Sequence, residues 1–406
     1  MGPLHGIRII DLTSVVMGPF ATQILAEMGA EVIKVEAPEG DITRQIGPAR
    51  ARGSGALYLN ANRHKRSICL DLKRPEALDL LDRLLKSADV LATNIRPAAM
   101  ARLGLDATAL LVRHPRLVYA AMVGFGQTGP YAGKPAYDDL IQGAAGLSAL
   151  MSEAGDGTPR YAPVALADRV AGLAAVGAIC AALFERERTG SGCEVEIPMF
   201  ETMASVVLGD HLAGQTFEPS TPERSYARLM SPHRRPFATR DGHICAVVYT
   251  DRQWTAFLDQ TEMSDLPRRD LRFATFAARN AAIDDVYAFL AELFATRSTA
   301  EWLDLLGAAD IPAMPMHTME SLVDDPHLTA TEFIRIREHP VQGSIRTLAP
   351  ATRWPGRTPA ADRPAPELGA DGAALLKEAG FDDGEIEVLR MCGALLLPDE
   401  DTHVAI

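Results

Sequence analysis

Residues 6–36 contain three successive patterns, GIRIIDL (6–12), GPFATQILAEM (18–28) and EVIKVE (31–36). The first and third are rich in β-branched residues, as strands are, whereas the second has a proline near its start and the apolar spacing of a helix. We therefore predict a strand over Gly6–Leu12, a helix over Pro19–Met28 and a strand over Glu31–Glu36. This order of elements is typical of a βαβ unit with parallel strands.

The alternation of strands and helices continues beyond this unit. An amphipathic helix is predicted over Pro75–Ser87, and further strands over Ser67–Leu72, Asp89–Thr93 and Leu117–Val123. The pattern predicts an α/β fold with a mostly parallel sheet covered by helices on both faces. Ligands of such folds bind beyond the carboxyl ends of the strands, so the turns after Leu12, Glu36, Thr93 and Val123 are the predicted place of a site.

The chain has 406 residues, more than the roughly 100 to 200 of a typical single domain, so two domains are expected. The segment 214–228, GQTFEPSTPERSYAR, is rich in proline, glycine, serine and threonine and is interpreted as a linker. It separates a first large domain over 1–213 from a smaller domain over 229–325, and the tail 326–406 follows.

The composition, with 47% hydrophobic and 23% charged residues, is that of a globular enzyme. The net charge of -13 and the lack of a basic block argue against nucleic-acid binding, so an anionic ligand would need a local cluster of Arg and Lys. Five widely spaced cysteines without a CxxC pair argue against a metal site and fit the reducing cytoplasm. The first residues lack the pattern of a signal peptide.

The most apolar stretch, Val170–Phe184, is about 15 residues long and flanked by charges, short of the roughly 20 needed to cross a bilayer. We interpret it as part of a buried helix over Asp168–Arg188 and expect no membrane contact. Its many alanines and glycines predict that another helix, in the same subunit or in a partner, approaches it closely.

Asp168 lies at the head of this helix, in PVALADRVAGL. One interpretation is a helix N-cap, because an Asp carboxylate readily accepts the free amides of a first helical turn. The other is a carboxylate nucleophile, desolvated and held ionised by the helix N-terminus. The two roles are compatible, and residue spacing alone does not separate them.

The loop GFGQTG (124–129) matches the dinucleotide fingerprint GxGxxG. That fingerprint must open directly into a helix, whereas Pro130 and Pro135 follow here, so we expect a functional loop without a dinucleotide. Neither GxSxG nor HExxH occurs in the chain, which removes the usual support for hydrolase or metalloenzyme chemistry.

Basic residues fall near the predicted strand ends, where they are either solvated surface charges or ligand contacts. They are Arg44, Lys73, Arg96, Arg102 and Lys134. A compact cluster, His233, Arg234 and Arg235 in SPHRRPF, is either a solvated turn or a contact for an acidic substrate.

Residues 3–44, PLHGIRIIDLTSVVMGPFATQILAEMGAEVIKVEAPEGDITR, resemble the N-terminal signature of the class III CoA-transferases, the CaiB/BaiF family. The likeness continues through NRHKRSICLDLKRPEA (62–77), ADVLATNIRP (88–97), MVGFGQTGPYAGKPAYDDLIQGAAGL (122–147), ADRVAGLAAVGAICAALFERERTGSG (167–192) and APELGADGAALLKEAGF (365–381). It implies a Rossmann-like large domain formed by both chain ends, a smaller α+β domain between them, and an interlocked homodimer.

The resemblance also implies that Asp168 is the nucleophile, which carries CoA from an acyl-CoA donor, such as succinyl-CoA, to a small carboxylic acid. Coenzyme A and acyl-CoA are then substrates, and no permanently bound cofactor is expected. The resemblance places CoA contacts at Lys73, Asn94, Arg96, Arg102 and Lys134.

Val16 and Tyr137 are expected at the reacting centre. Val16 replaces a Gln of formyl-CoA transferase, and residues 226–233 lack that enzyme's glycine run, which argues against oxalate and formyl-CoA as substrates. A second carboxylate on the acceptor could pair with Arg234 or Arg235.

Other functions remain open. Relatives that racemise α-methylacyl-CoA use a His where Tyr137 stands, and the ordinary pKa of tyrosine, near 10, suits proton exchange at neutral pH poorly. An acyl-CoA lyase or isomerase, or a CoA-binding protein without turnover, would share the same scaffold.

Overall fold

The structure, a computed structural model, describes residues 2–357 and 362–398. The strands are β1 Arg8–Leu12, β2 Glu31–Glu36, β3 Lys65–Leu70, β4 Val90–Thr93, β5 Val118–Val123, β6 Glu194–Pro198, β7 Phe237–Ala238, β8 His243–Ala246, β9 Ala313–Pro315, β10 Ile334–His339, β11 Gly343–Leu348 and β12 Leu395–Leu396.

The helices are α1 Met17–Glu27, α2 Ala56–Ala61, α3 Pro75–Leu85, α4 Pro97–Arg102, α5 Ala107–Arg113, α6 Asp138–Ala144, α7 Leu147–Ala154, α8 Leu166–Thr189, α9 Met199–His211, α10 Ala227–Met230, α11 Asp251–Gln260, α12 Leu266–Arg269, α13 Phe276–Ala281, α14 Ile283–Phe294, α15 Thr299–Ala308, α16 Met319–Val323, α17 Pro326–Ala330, α18 Gly372–Glu378 and α19 Asp383–Met391. Short 3-10 turns lie at Ile42–Gln45, Ala213–Thr216 and Leu271–Phe273.

A large sheet has the strand order β12-β3-β2-β1-β4-β5-β6. All neighbouring strands from β3 to β6 are parallel, and only β12 runs antiparallel to its neighbour β3. The predicted α/β fold with a mostly parallel sheet is therefore confirmed. The order of the strands reverses between β1 and β4, and the crevice at such a switch point is where ligands bind in open α/β sheets.

The chain divides into two compact units. One comprises residues 1–145, 161–206 and 328–406 and contains the large sheet and the β10–β11 hairpin. The other comprises residues 146–160 and 207–327 and contains a small antiparallel sheet, β7-β8-β9. This second unit has its own aromatic core, which includes Trp254, Phe257, Phe294 and Trp302.

The two faces of the large sheet are covered by different helices. Alternate residues of each strand point to opposite faces, and Ile10 and Leu12 of β1 pack in one core with Leu80 and Leu81 of α3. Asp11 points to the other face, where the hydroxyl of Thr22 on α1 donates to its carboxylate at 2.7 Å. The site described below lies on the α1 side.

The helix α8 has 24 residues, Leu166–Thr189, so the sequence argument that it is too short for a bilayer is wrong. Among the described residues it is the one helix long and apolar enough to cross a membrane, a property that the core helix of a soluble protein shares. Half of its most apolar window is buried within the protein, and its buried Arg186 pairs with Asp89 at 2.7 Å. These contacts support the predicted core helix.

The structure also corrects the position of Asp168 within α8. The N-cap residue is Ala165, so Asp168 is the third residue of the helix and not its cap. The side chain is therefore free to point away from its own first turn.

Candidate functional site

A cavity of about 210 Å³ opens at the carboxyl ends of β1, β4 and β5, at the switch point of the sheet. Three of the four predicted turns contribute to its wall, namely those after Leu12, Thr93 and Val123. The fourth turn, after Glu36, contributes no wall residue. The residues that line the cavity include Ser14, Val15, Met17, Asn94, Ile95, Arg96, Gly124, Gln127, Lys134, Tyr137 and Asp168.

The structure brings together five of the residues singled out in the sequence. Those at the cavity are Asn94, Arg96, Lys134, Tyr137 and Asp168. Val16 is buried between two lining residues, and Lys73 and Arg102 are exposed outside the lining. The cluster His233, Arg234 and Arg235 belongs to the second unit and is not part of this wall.

Asp168 is buried, with only 8% of the residue exposed. Burial and the neighbouring carboxylate of Asp138 raise the pKa of Asp168 from 3.8 to about 6, while the backbone N–H of Met17 and the charge of Arg169 oppose the rise. At neutral pH the group is therefore ionised but poorly solvated. Such a carboxylate is a better nucleophile than one in water.

Asp138, the first residue of α6, holds the start of α8. Its Oδ1 accepts the backbone N–H of Asp168 at 3.0 Å, and its Oδ2 accepts Nε2 of Gln142 at 2.6 Å. The buried Gln142 is fixed in turn, since its Oε1 accepts the backbone N–H of Ala162 at 2.8 Å. Asp138 therefore positions Asp168 and also raises its pKa.

Asn94 holds the loop between β1 and α1. Its Oδ1 accepts the backbone N–H of Ser14 at 3.0 Å, and its Nδ2 donates to the backbone carbonyl of Ser14 at 2.8 Å. Both polar groups of the side chain are thus engaged by the loop. The geometry gives Asn94 a positioning role in addition to its predicted contact with CoA.

Two glycines allow α1 to begin close to Asp168. A Cβ on Gly172, one turn beyond Asp168 on α8, would lie 2.8 Å from the carbonyl oxygen of Met17 and 3.0 Å from the ring of Phe20. A Cβ on Gly18 would lie 2.2 Å from Cβ of Thr13. The close helix approach predicted from the composition of α8 is therefore made by α1.

Two cations at the cavity have no acidic partner within residues 2–357 and 362–398. Arg96 forms no ion pair there, and the ammonium of Lys134 lies over the ring of Tyr131, 4.2 Å from its centroid. A free cation beside an ionised carboxylate suits a ligand that itself carries negative charge.

The loop GFGQTG does not open a helix, because the next helix, α6, begins at Asp138. The backbone N–H groups of Gly126 and Gln127 donate to the carboxylates of Glu201 and Glu196, at 2.9 and 3.1 Å. Amides held by carboxylates are not free for a pyrophosphate, which agrees with the expectation that this loop binds no dinucleotide.

Sequence reasoning missed Asp138, Met17 and Gly172. Asp138 was visible only as an acidic residue at the start of a helix, a common solvated position. Gly172 lies four residues after Asp168, which places both on one face of a helix, and this spacing was the available signal. Met17 acts through its backbone, so its side chain carries no signal.

Comparison with known proteins identifies the family. Residues 4–372 match the model of the family described as CoA-transferase family III. The chain is 36% identical to a succinate–glutarate CoA-transferase of Agrobacterium fabrum, over 93% of this chain and 95% of that one. It is 35% identical to an acetyl-CoA:oxalate CoA-transferase of Acetobacter aceti, over 93% and 96%. A crystal structure of a CaiB/BaiF family protein from Brucella suis superposes with a TM-score of 0.77 at 32% identity, covering 93% of this chain and 99% of that chain. The chain belongs to CoA-transferase family III.

Proposed function

We propose that this enzyme transfers CoA from an acyl-CoA donor to a carboxylic acid through a covalent intermediate on Asp168. The observation that carries the proposal is the Asp168 carboxylate in the cavity, poorly solvated, ionised at neutral pH and directed at the N-terminus of α1. Family membership supports CoA transfer, and the geometry supports this residue as its nucleophile.

The reaction proceeds by four acyl transfers. The carboxylate of Asp168 attacks the thioester carbonyl of the donor, CoA leaves as a thiolate, and a mixed anhydride forms. The thiolate then attacks the carbonyl carbon of Asp168, which releases the donor's acid as a carboxylate and leaves an aspartyl-CoA thioester. The acceptor carboxylate attacks this thioester, the thiolate leaves, and a second anhydride forms. The thiolate finally attacks the acceptor carbonyl, which gives the new acyl-CoA and restores Asp168.

The backbone N–H of Met17 is a donor at the site where negative charge develops. It lowers the pKa of the carboxylate in the free enzyme, and the same group would donate to an oxyanion formed at the carbonyl carbon of Asp168. Anhydride intermediates are destroyed by water, so the burial of Asp168 also protects them.

The free cations suit the anionic parts of CoA. Arg96 and Lys134 lie at the cavity, where they could bind the phosphates nearest the thioester arm. Lys73 and Arg102 are exposed outside the cavity lining, so for them a contact with the distant nucleotide end is proposed.

The experiment that tests the proposal is intact-protein mass spectrometry after incubation with succinyl-CoA. An adduct of the mass of CoA less one water, converted by hydroxylamine to an aspartyl hydroxamate and located by peptide mapping on Asp168, is the expected result. An adduct on another residue would contradict the assignment of the nucleophile.

We also propose an interlocked homodimer and a cytoplasmic location. Large apolar side chains of α8 and α9 are exposed in the single chain, including Leu173, Phe184 and Val206, and a second subunit would cover them. The cysteines of the described residues are free thiols, which suits a reducing compartment. The resemblance noted above supports the interlocked homodimer.

A second function, α-proton exchange on an acyl-CoA, is favoured by one observation. A carboxyl group with a pKa of about 6 is also suited to general acid–base chemistry near neutral pH. Its partner at the cavity is Tyr137, in the position where the racemases have histidine. Exchange of the α-hydrogen in deuterated water, with no adduct on Asp168, would favour this function over transfer.

For the acceptor we propose a dicarboxylic acid, as the name of the Agrobacterium fabrum relative suggests for that protein. Arg234 and Arg235 are exposed and form no ion pair within the described residues, so they are free to bind a second carboxylate. Replacing both with Gln is expected to raise the KM for glutarate by about 10-fold, the contribution of one charge-assisted contact, and to leave the KM of monocarboxylic acids unchanged.

The matched control for this pair is Arg252→Gln, an exposed arginine of the same unit that pairs with Asp310 at 2.8 Å. Its KM for glutarate should equal that of the wild type. Steady-state kinetics with a series of acids makes the comparison. An unchanged KM for every dicarboxylate in the Arg234→Gln/Arg235→Gln enzyme would reject a role in substrate binding.

The approach of α1 to α8 gives a further prediction. In Gly172→Ala the new methyl group would press on the carbonyl of Met17 and displace the start of α1 from Asp168. We expect kcat to fall on the order of 10-fold, because small displacements at reacting groups are costly. The control is Gly177→Ala on the same helix, where a Cβ meets no atom within 4 Å. Equal kcat values for the two variants would show that the close approach does not matter for turnover.

A further inference from the structure

The loop between β1 and α1 has an unusual backbone. Val15, which lines the cavity, has a φ of 71°. This left-handed region is rarely adopted by residues other than glycine and is most unfavourable for β-branched ones, so the surrounding structure must hold it. Two residues later the chain enters α1 at Met17, which lines the cavity with Asp168 and whose backbone N–H lowers the pKa of that carboxylate.

A buried ion pair forms hydrogen bonds with the backbone of this loop. The carboxylate of Asp41 accepts the backbone N–H of Val15, at 3.2 and 3.3 Å from its two oxygens. The ammonium of Lys34 lies 3.0 Å from Oδ2 of Asp41 and donates to the carbonyl of Thr13 at 2.8 Å. The side chains of Lys34 and Asp41 are 0% and 1% exposed.

This arrangement does more than the stability of the fold requires. Burying two charges has a large desolvation cost, and a well-packed apolar pair in the same place is often equally stable. The pair does, however, form hydrogen bonds with the backbone on both sides of Ser14, at Thr13 and at Val15. The backbone of Ser14 itself is bonded by Asn94. The three side chains together hold the backbone of residues 13–15 by hydrogen bonds.

We infer that Asp41 is a positioning residue for the reaction, which with Lys34 holds Val15 in the left-handed conformation and so keeps the N–H of Met17 on the carboxylate of Asp168. The inference rests on the proposed role of Asp168 as nucleophile. It also gives a function to the turn after β2. The sequence predicted this turn as part of a site, and the turn contributes no residue to the cavity wall.

The test begins with Asp41→Asn. Oδ1 of Asp41 accepts the backbone N–H of Thr43 at 3.0 Å, and Asn can keep this bond. Its amide NH₂ would then replace Oδ2, which loses the contact with the ammonium of Lys34 and leaves the N–H of Val15 only the longer contact with Oδ1, at 3.3 Å. We expect kcat to fall on the order of 10-fold with KM within twofold of the wild type, because the reacting groups and not the CoA contacts are displaced.

The pH profile separates positioning from a general loss of stability. The Met17 N–H lowers the pKa of Asp168, so losing this bond should move the acid limb of kcat/KM to higher pH. The control is Glu39→Gln, an exposed carboxylate two residues before Asp41, for which no change is expected. A normal kcat and acid limb in Asp41→Asn would overturn the inference.

Two further variants guard against a folding defect. Lys34→Met/Asp41→Asn leaves no uncompensated buried charge and should show the same loss of kcat with a melting temperature nearer that of the wild type. In a Val15→Gly background, glycine adopts the required φ freely, so Asp41→Asn should lower kcat much less. An equal loss in both backgrounds, in an enzyme that still forms its adduct on Asp168, would reject the inference alone. Failure to form that adduct in the wild type would reject the proposed function instead.

Discussion

Asp168→Ala and Asp168→Asn are each expected to lower kcat for CoA transfer by at least about 10⁴-fold, and to form no covalent adduct with succinyl-CoA. Neither side chain can attack a thioester, and no other carboxylate lines the cavity among the described residues. Substrate contacts remain, so the affinity for acyl-CoA should change little. Single-turnover kinetics and intact-protein mass spectrometry measure both effects.

The exposed Asp139, next to Asp138, provides the matched control. Asp139→Asn removes one carboxylate from the same region and should form the adduct at the rate of the wild type. Transfer that persists in Asp168→Asn within 10-fold of the wild type would contradict a covalent role for Asp168. Persistent transfer together with adduct formation elsewhere would locate the true nucleophile.

The Asp168→Asn substitution should also stabilise the folded protein at neutral pH. The pKa of Asp168 is about 6 when folded and near 3.8 when unfolded, so its ionisation disfavours the folded state increasingly from pH 3.8 to 6 and to the full extent above pH 6. Asn has no charge to desolvate. The melting temperature of Asp168→Asn should therefore exceed that of the wild type at pH 7.5, and the difference should shrink as the pH falls through 6, where the wild-type group becomes protonated.

Local sequence patterns predicted the first βαβ unit of the sheet well. The strand over Glu31–Glu36 agrees with β2, and the predicted helix over Pro19–Met28 differs from α1 by two residues at its start and one at its end. Strands buried on both faces must be almost continuously apolar, which makes them easy to recognise. The hairpin β10–β11 was not predicted. Ile334 and Ile336 of β10 alternate with arginines, but this pattern is short, and most side chains of the two strands are exposed.

The sequence predicted those site residues whose side-chain type and position relative to a helix or strand indicate a chemical role. Asp168 at a helix start and Arg96 after a strand carried such signals. The backbone N–H of Met17, the strained φ of Val15 and the buried pair of Lys34 and Asp41 did not, because they depend on contacts between elements that no local pattern records. Asn94 lines the cavity, but its hydrogen bonds to Ser14 appear only in three dimensions.

Asp138 combines two effects on Asp168 that two substitutions can separate. In Asp138→Asn the side-chain oxygen can still accept the N–H of Asp168, while its charge is lost and Gln142 keeps the carbonyl of Val164 as an acceptor. Removing the charge lowers the pKa of Asp168 from about 6, so the acid limb of kcat/KM should move to lower pH, opposite to the shift expected for Asp41→Asn.

Asp138→Ala removes the hydrogen bond as well as the charge. The start of α8 then loses its acceptor, Asp168 is displaced from the N–H of Met17, and kcat should fall about 100-fold. The control is again Asp139→Asn, which should keep both the rate and the acid limb of the wild type. The two effects are separable because Asn at position 138 keeps the hydrogen bond that positions Asp168 but lacks the negative charge. An acid limb that stays near pH 6 in Asp138→Asn would show that the charge of Asp138 does not contribute to the pKa of Asp168. Wild-type turnover in Asp138→Ala would show that the start of α8 needs no hydrogen bond from α6.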